Sequence, residues 1–125
     1  MEFIHAPKAC ASVGPYSHCV KAGFTYYLCG QVPFHPVTGE VVGNGMKEQA
    51  VQTLANMKAV LEAAGLTVTD IAKTTVFVTN MDDFAAFNEV YAAFMGEHRP
   101  ARVCVEVSNI AHGCLLEMDA ICFKE

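Results

Sequence analysis

Residues 71–79 read IAKTTVFVT, and the reading of the fold turns on them. The segment is rich in β-branched residues and apolar on both faces, the composition of a central strand covered from both sides. Gly65 stands upstream of it, and Asn80 and Asp82 lie just downstream. Such punctuation marks the ends of neighbouring elements.

Working outward, the hydrophobic period changes on either side. From Met46 to Ala64, the residues Ala50, Leu54, Met57, Leu61 and Ala64 recur at steps of three and four. That is one stripe of an α-helix, with Gly65 where a C-terminal cap glycine belongs. HPVTGEV (35–41) carries Pro36 and Gly39 in the positions of a tight turn. Before it, Ser17 to Cys29 is rich in Val, Phe, Tyr and Cys, and Lys21-Ala22-Gly23 breaks it into two strands joined by a short turn. Downstream, Asn80 or Asp82 can cap a second helix. Its stripe is Phe84, Phe87, Tyr91 and Phe94, and it ends near Gly96. Two strands close the chain, at about 102–107 and 115–123, linked through SNIAHGC (108–114).

The order β-β-(β)-α-β-α-β-β predicts one α+β domain over residues 1–125, a mixed sheet of about six strands. Two helices cannot cover both faces of such a sheet, so they are expected on one face, with water or another copy on the other. Strand parity then sorts the last two strands. Val103, Val105 and Val107 alternate with Arg102, Cys104 and Glu106, while Leu116, Met118, Ala120 and Cys122 alternate with Glu117, Asp119 and Ile121. Assigning the apolar sets to the helices places Arg102 and Glu117 together on the far face.

Composition narrows the function classes. The chain is 53% hydrophobic with mean hydropathy +0.29, yet no apolar run approaches the roughly 20 residues of a membrane span. Surplus apolar surface of this kind points to a homo-oligomer and to no membrane partner. The net charge is −5, and eight scattered Lys and Arg supply no basic face, so nucleic acid is not expected as a partner. The N-terminus, MEFIHAPKACASVG, lacks the pattern of a secretory signal or an Arg-rich transit peptide. A cytoplasmic location is therefore expected. Six cysteines could form disulfides in an exported protein, but in a reducing compartment most read as small buried apolar groups. Cys10, His18 and Cys19 could converge on zinc, although closed zinc sites usually show tight ligand pairs. No metal site is expected.

An arginine and a carboxylate sharing a face that assembly would bury have two readings. One is an ion pair between strands or subunits. In the other, the planar guanidinium grips a small carboxylate in a bidentate fork, and the glutamate activates water or moves a proton. Spacing does not choose between them.

Several stretches in order carry a wider resemblance: GPYSHCV (14–20), GQVPFHPVTGEV (30–41), AAGLTVTDIAKTTVFVTNMDDFAAFNEVY (63–91), PARVCVEV (100–107) and LEMDAI (116–121). From about Pro7 to Phe123 the chain resembles the RidA/YjgF family of reactive enamine/imine deaminases. The resemblance implies a chorismate-mutase-like α+β fold, assembled as a homotrimer whose sheets form a central barrel with active sites in the clefts between subunits. It implies hydrolysis of 2-aminoacrylate or 2-aminocrotonate, in the imine form, to a 2-oxo acid and ammonia, without a cofactor. Arg102, matching the arginine of the family's P-A-R motif, would bind the substrate carboxylate. Glu117, in LEMDA, would position and activate water. Backbone around Gly30 and Cys104 would orient substrate, Cys29 would stand in the pocket wall, and Tyr16 and Asn88 would close the pocket or bridge to water. Without the resemblance, Tyr16 reads as an interface aromatic and Asn88 as a polar group on a helix surface.

Three departures bear on substrate range. Cys29 stands where the family often has serine, so a weak thiol donor replaces a hydroxyl. GEHRPAR (96–102) is shorter than the matching segment in many relatives, and Ala111-His112-Gly113 lacks a proline common in that loop. Glu117 also faces opposed influences, since a nearby cation favours its charge while burial and acidic neighbours oppose it. Other functions described on the same fold compete: a ribonuclease or translation inhibitor, against which the acidic balance counts, a holdase-type chaperone, and a regulatory protein that binds 2-oxo acids without turnover.

Overall fold

The structure is a computed structural model describing residues 1–125. Strands β1 (Glu2–Ile4), β2 (Cys19–Ala22) and β3 (Thr25–Gln31) precede helix α1 (Met46–Ala63). Strand β4 (Ile71–Val78), helix α2 (Phe84–Met95), β5 (Ala101–Glu106) and β6 (Leu116–Phe123) follow. All strands join one sheet in the order β1-β2-β3-β6-β4-β5. Only β4 and β5, joined through α2, run parallel; the remaining pairs are antiparallel. Thus β5 is an edge strand.

Local chemistry explains the boundaries. The β2–β3 hairpin turns at Gly23-Phe24, because Ala22 pairs with Thr25, one residue later than the composition predicted. Gly23 has φ +63, a conformation cheap only for glycine. The stripe of α1 is as read, with Ala50, Leu54, Met57 and Leu61 buried, and Gly65 adopts φ +73 beyond it. Asn80 caps the turn ahead of α2 by accepting a hydrogen bond from the Asp82 amide at 2.9 Å. The Glu106 carboxylate accepts one from the Met81 amide at 2.8 Å. One acid in a terminal strand is thereby explained, since it satisfies an amide of the turn that starts α2.

Helix α1 packs on α2, β3 and β6. Met118, Leu116, Ala120 and Cys122 of β6, with Val76 and Val78 of β4, are buried beneath the helices together with Phe87, Leu54 and Met57. Both helices therefore cover one face. The other face carries Tyr27, Ile121, Phe123, Val103 and Val105, all exposed in the single chain.

Strand β4 is central, between β6 and β5, and the single chain covers it on the helix face: Thr74, Val76 and Val78 are buried, whereas Ala72 and Lys73 are exposed and Thr75 and Phe77 half-buried. One expectation requires correction. The parity of β5 is reversed. Val103 and Val105 are 44% and 40% exposed on the open face, and Arg102 and Cys104 lie on the helix side. The register is decisive, because Arg102 sits opposite Thr74 and Cys104 opposite Val76, both in the helix-covered layer. Apolar alternation misleads here because both faces of this sheet are apolar.

Candidate functional site

Arg102 projects from the edge strand toward α2. Its Nη1 donates to Asn88 Oδ1 at 2.7 Å. The guanidinium carbon lies 4.8 Å from the Tyr91 ring centroid and 5.2 Å from that of Phe84. A planar cation on aromatic faces is held in orientation by attraction to the ring electrons. Tyr91 is itself fixed, its hydroxyl 2.8 Å from Thr74 Oγ1. Phe84, Asn88 and Tyr91 follow one another at helical steps of four and three along α2, so one helix face positions the whole cradle. Asn88, Tyr91, Ala92, Arg99, Pro100 and Arg102 line a cavity of about 460 Å³. No carboxylate lines it. The only ion pair in the chain joins Lys47 and Glu89, so Arg102 has its aromatic and amide partners but no acid.

Glu117 lies elsewhere. It stands opposite Phe77 on β4, hence on the open face, whereas Arg102 is on the helix face. The sheet separates the two residues within one chain, and an intrachain Arg102–Glu117 ion pair does not form. Glu117 instead meets Gly30, where the β3–β6 register shifts between Leu28 and Gln31. A methyl group on Gly30 would fall 2.5 Å from Glu117 Oε2. Glycine is thus required for the carboxylate to lie against the backbone. Burial, then the neighbouring charge of Asp119, pushes the Glu117 carboxyl above its ordinary value of 4.5.

Tyr16, Cys29 and Gly30 line one narrow cleft together with Val32 and Phe34. The Cys29 sulfur accepts a hydrogen bond from Gln31 Nε2 at 3.2 Å. Burial raises the Cys29 thiol, the Gln31 hydrogen bond opposes that, and the charge of Glu117 adds to the rise. Cys104 is half-buried on the Arg102 side; burial raises its thiol and Arg102 partly offsets this. The seven residues expected at the site therefore fall into two groups. Arg102, Asn88 and Cys104 form one, and Glu117, Gly30, Cys29 and Tyr16 the other.

A family model described as Endoribonuclease L-PSP matches residues 5–124. The chain belongs to the RidA/YjgF family. A RutC family protein of Pyrococcus horikoshii is 48% identical over 124 residues, covering 99% of this chain and 98% of that protein. A 2-iminobutanoate/2-iminopropanoate deaminase of Escherichia coli is 45% identical over 124 residues, covering 97% of this chain and 96% of that protein. The crystal structure of E. coli TdcF with bound serine superposes with TM-score 0.94 at 40% identity, over the full length of both chains.

Against that RidA/YjgF background, the alternative chemistry of the cysteines is limited. All six are free thiols. Both ring nitrogens of His18 are committed to backbone, one accepting from the Ala6 amide at 2.8 Å and the other donating to the Cys10 carbonyl at 2.8 Å. That leaves no lone pair for the zinc arrangement with Cys10 and Cys19. The residues missed by sequence reasoning are Phe84 and Tyr91, read only as core stripe, and the Arg99-Pro100 wall of the cavity. The available signal was Asn88, a polar residue between two aromatics on one helix face.

Proposed function

We propose that this RidA/YjgF chain is a 2-iminobutanoate/2-iminopropanoate deaminase, a hydrolase acting on C=N bonds and a protective enzyme against reactive metabolites. It takes 2-aminoacrylate and 2-aminocrotonate through their imine forms to 2-oxo acids and ammonia. One observation carries the reading: a guanidinium fixed between two rings and an amide, with no acid partner, at the wall of a cavity. Such a group is prepared for a substrate carboxylate, and the name of the E. coli relative describes that chemistry for that protein.

The residues take the following roles. The free edge of the Arg102 fork pairs with the substrate carboxylate, while Asn88 Oδ1 and the two rings hold its plane. Glu117 accepts a proton from water as that water adds to C2 of the protonated imine. The carbinolamine then receives that proton on nitrogen, and the C–N bond breaks as ammonia leaves. Glu117 takes the hydroxyl proton as the C=O bond of the 2-oxo acid forms and passes it to the departing ammonia, which leaves as ammonium. Atoms balance with one water consumed and no change of oxidation state. A carboxyl raised toward neutrality suits a group that must both take and return a proton. Gly30 and the backbone at Cys104 orient substrate, Tyr16 closes the pocket, and Cys29 forms wall and is no nucleophile, because a raised thiol holds little thiolate.

Because the sheet divides the two groups of residues, the reading requires that Arg102 of one subunit meet Glu117 of another. A homotrimer with the apolar open faces turned inward as a barrel supplies that meeting and covers Tyr27, Val103, Val105, Ile121 and Phe123. Six unbridged cysteines suit a reducing cytoplasm. The test is 2-aminoacrylate hydrolysis by wild type and Arg102→Ala, with pyruvate binding measured on both. Loss of both in a folded variant supports the reading; near-normal turnover by Arg102→Ala sinks it. A regulator that only binds 2-oxo acids would show no turnover in the wild type, and Glu117→Gln would change nothing.

A further inference from the structure

The Arg102 cavity contains a second cation that the proposed reaction leaves unused. Arg99 lines the same cavity, three residues away along the chain. It is displayed by a connection that is held at several points. Gly96 closes α2 with φ +63, the His98 amide donates to the Met95 carbonyl at 3.1 Å, and His98 Nε2 donates to the Ile71 carbonyl at 2.7 Å. Arg99 Nη1 donates to the carbonyls of Gly96 at 2.6 Å and His98 at 2.9 Å. One nitrogen thus braces the side chain, and the others remain available. Pro100 then fixes φ between the two arginines.

We infer that Arg99 forms a distal anion subsite, and that the cavity accepts 2-imino acids bearing a second carboxylate, four- or five-carbon 2-imino diacids, in preference to their uncharged analogues. This rests on the reading of Arg102 as the holder of the first carboxylate. A three-carbon imino acid has six heavy atoms and fills only a fraction of the roughly 460 Å³ that the single chain encloses, and no acidic side chain of that chain lines the cavity beside either guanidinium. The supplying reaction either oxidises, at its α-carbon, an amino acid that carries a side-chain carboxylate, or eliminates a β-substituent from one. Arg99 is exposed, so its contribution is that of a solvated ion pair, about a fivefold gain in affinity.

Calorimetric titration of the intact protein with 2-oxoglutarate and with 2-oxobutyrate reads the ratio of the two affinities. The wild type is expected to favour 2-oxoglutarate about fivefold at low salt, with the preference shrinking at 0.5 M salt through screening. Arg99→Gln keeps a donor for the Gly96 carbonyl without the charge, so it should bring the ratio close to one, while Arg99→Lys should keep part of it. The same variants, assayed on enzymatically generated 2-iminoglutarate and 2-iminopropanoate, should shift the ratio of kcat/KM in the same sense. A wild-type ratio of one, or an unchanged ratio in Arg99→Gln, overturns the inference and leaves Arg102 untouched. If Arg102→Ala binds both ligands normally, the reading of the cavity itself fails.

Discussion

Replacing Gly30 by alanine probes the proposed chemistry without substituting a charged residue. An added Cβ would lie 2.5 Å from Glu117 Oε2, 2.9 Å from Cδ and 3.1 Å from Cγ. Ordinary contact begins near 3.4 Å, so the carboxylate must retreat by about 0.9 Å, the difference between 3.4 and 2.5 Å. Gly30 is not among the positive-φ glycines, so alanine brings no backbone strain, and the obstructing atoms belong to a side chain that can rotate. The fold should therefore survive with a small loss of thermal stability. A displacement near 1 Å of a catalytic group costs about 100-fold in rate, equivalent to roughly 2.7 kcal/mol of barrier. The assay is turnover of 2-aminoacrylate with a melting curve on the same sample, together with 2-oxobutyrate titration. Turnover should fall by about two orders of magnitude, with binding through Arg102 weakened far less. Wild-type turnover in a folded Gly30→Ala would refute the placing of Glu117 at the reacting water.

Other outcomes follow from the same arrangement. Arg102→Lys should lose most turnover, since a point charge replaces neither the fork nor the stacking on Tyr91 and Phe84; steady-state kinetics at saturating substrate checks this. Because water activation needs the ionised carboxylate, the rate should fall as pH drops through a Glu117 pKa above the ordinary 4.5, and a pH profile of Glu117→Gln should lose that acid limb along with most activity. Multi-angle light scattering should report a trimer at micromolar concentration, and Val105→Glu, which places charge on the open face, should convert it to inactive monomer.

The elements were legible in the sequence because their signals are local. The α1 stripe and the turn glycines at Gly39 and Gly65 are each written within a few residues and stand where they were read, while Asn80 caps the short turn ahead of α2 and not the helix itself. What failed was the choice of face for β5. The rule that the more apolar alternate set meets the helices assumes that one face meets water. Here Val103 and Val105 sit on an open face that also carries Tyr27, Ile121 and Phe123, while Arg102 reaches the helix layer because aromatic rings accept a guanidinium. The approach of Gly30 to Glu117 was hidden for a different reason. It depends on a register shift between β3 and β6, and a one-residue slip moves every later side chain to the other face.

The corrected parity changes what the proposed enzyme requires of its assembly. Had Arg102 and Glu117 shared a face, one chain could have held the cation and the acid together, and association would only have shielded them. With the sheet between them, a lone subunit has a carboxylate-binding half with no acid beside it, and an acid half with no cation. The two halves also oppose each other electrostatically in a useful direction. Burial and Asp119 raise Glu117 in the isolated chain, and the approach of a neighbour's Arg102 would lower it again, so the working pKa would be set by contact between subunits. Substrate carboxylate bound to that arginine would then cancel part of its charge and let the Glu117 pKa rise again. On this reading, activity per chain should fall with dilution in step with the trimer fraction measured by analytical ultracentrifugation. A dilution series in which monomers retain full specific activity would place both halves of the reaction within one chain, which the register of β4, β5 and β6 does not allow.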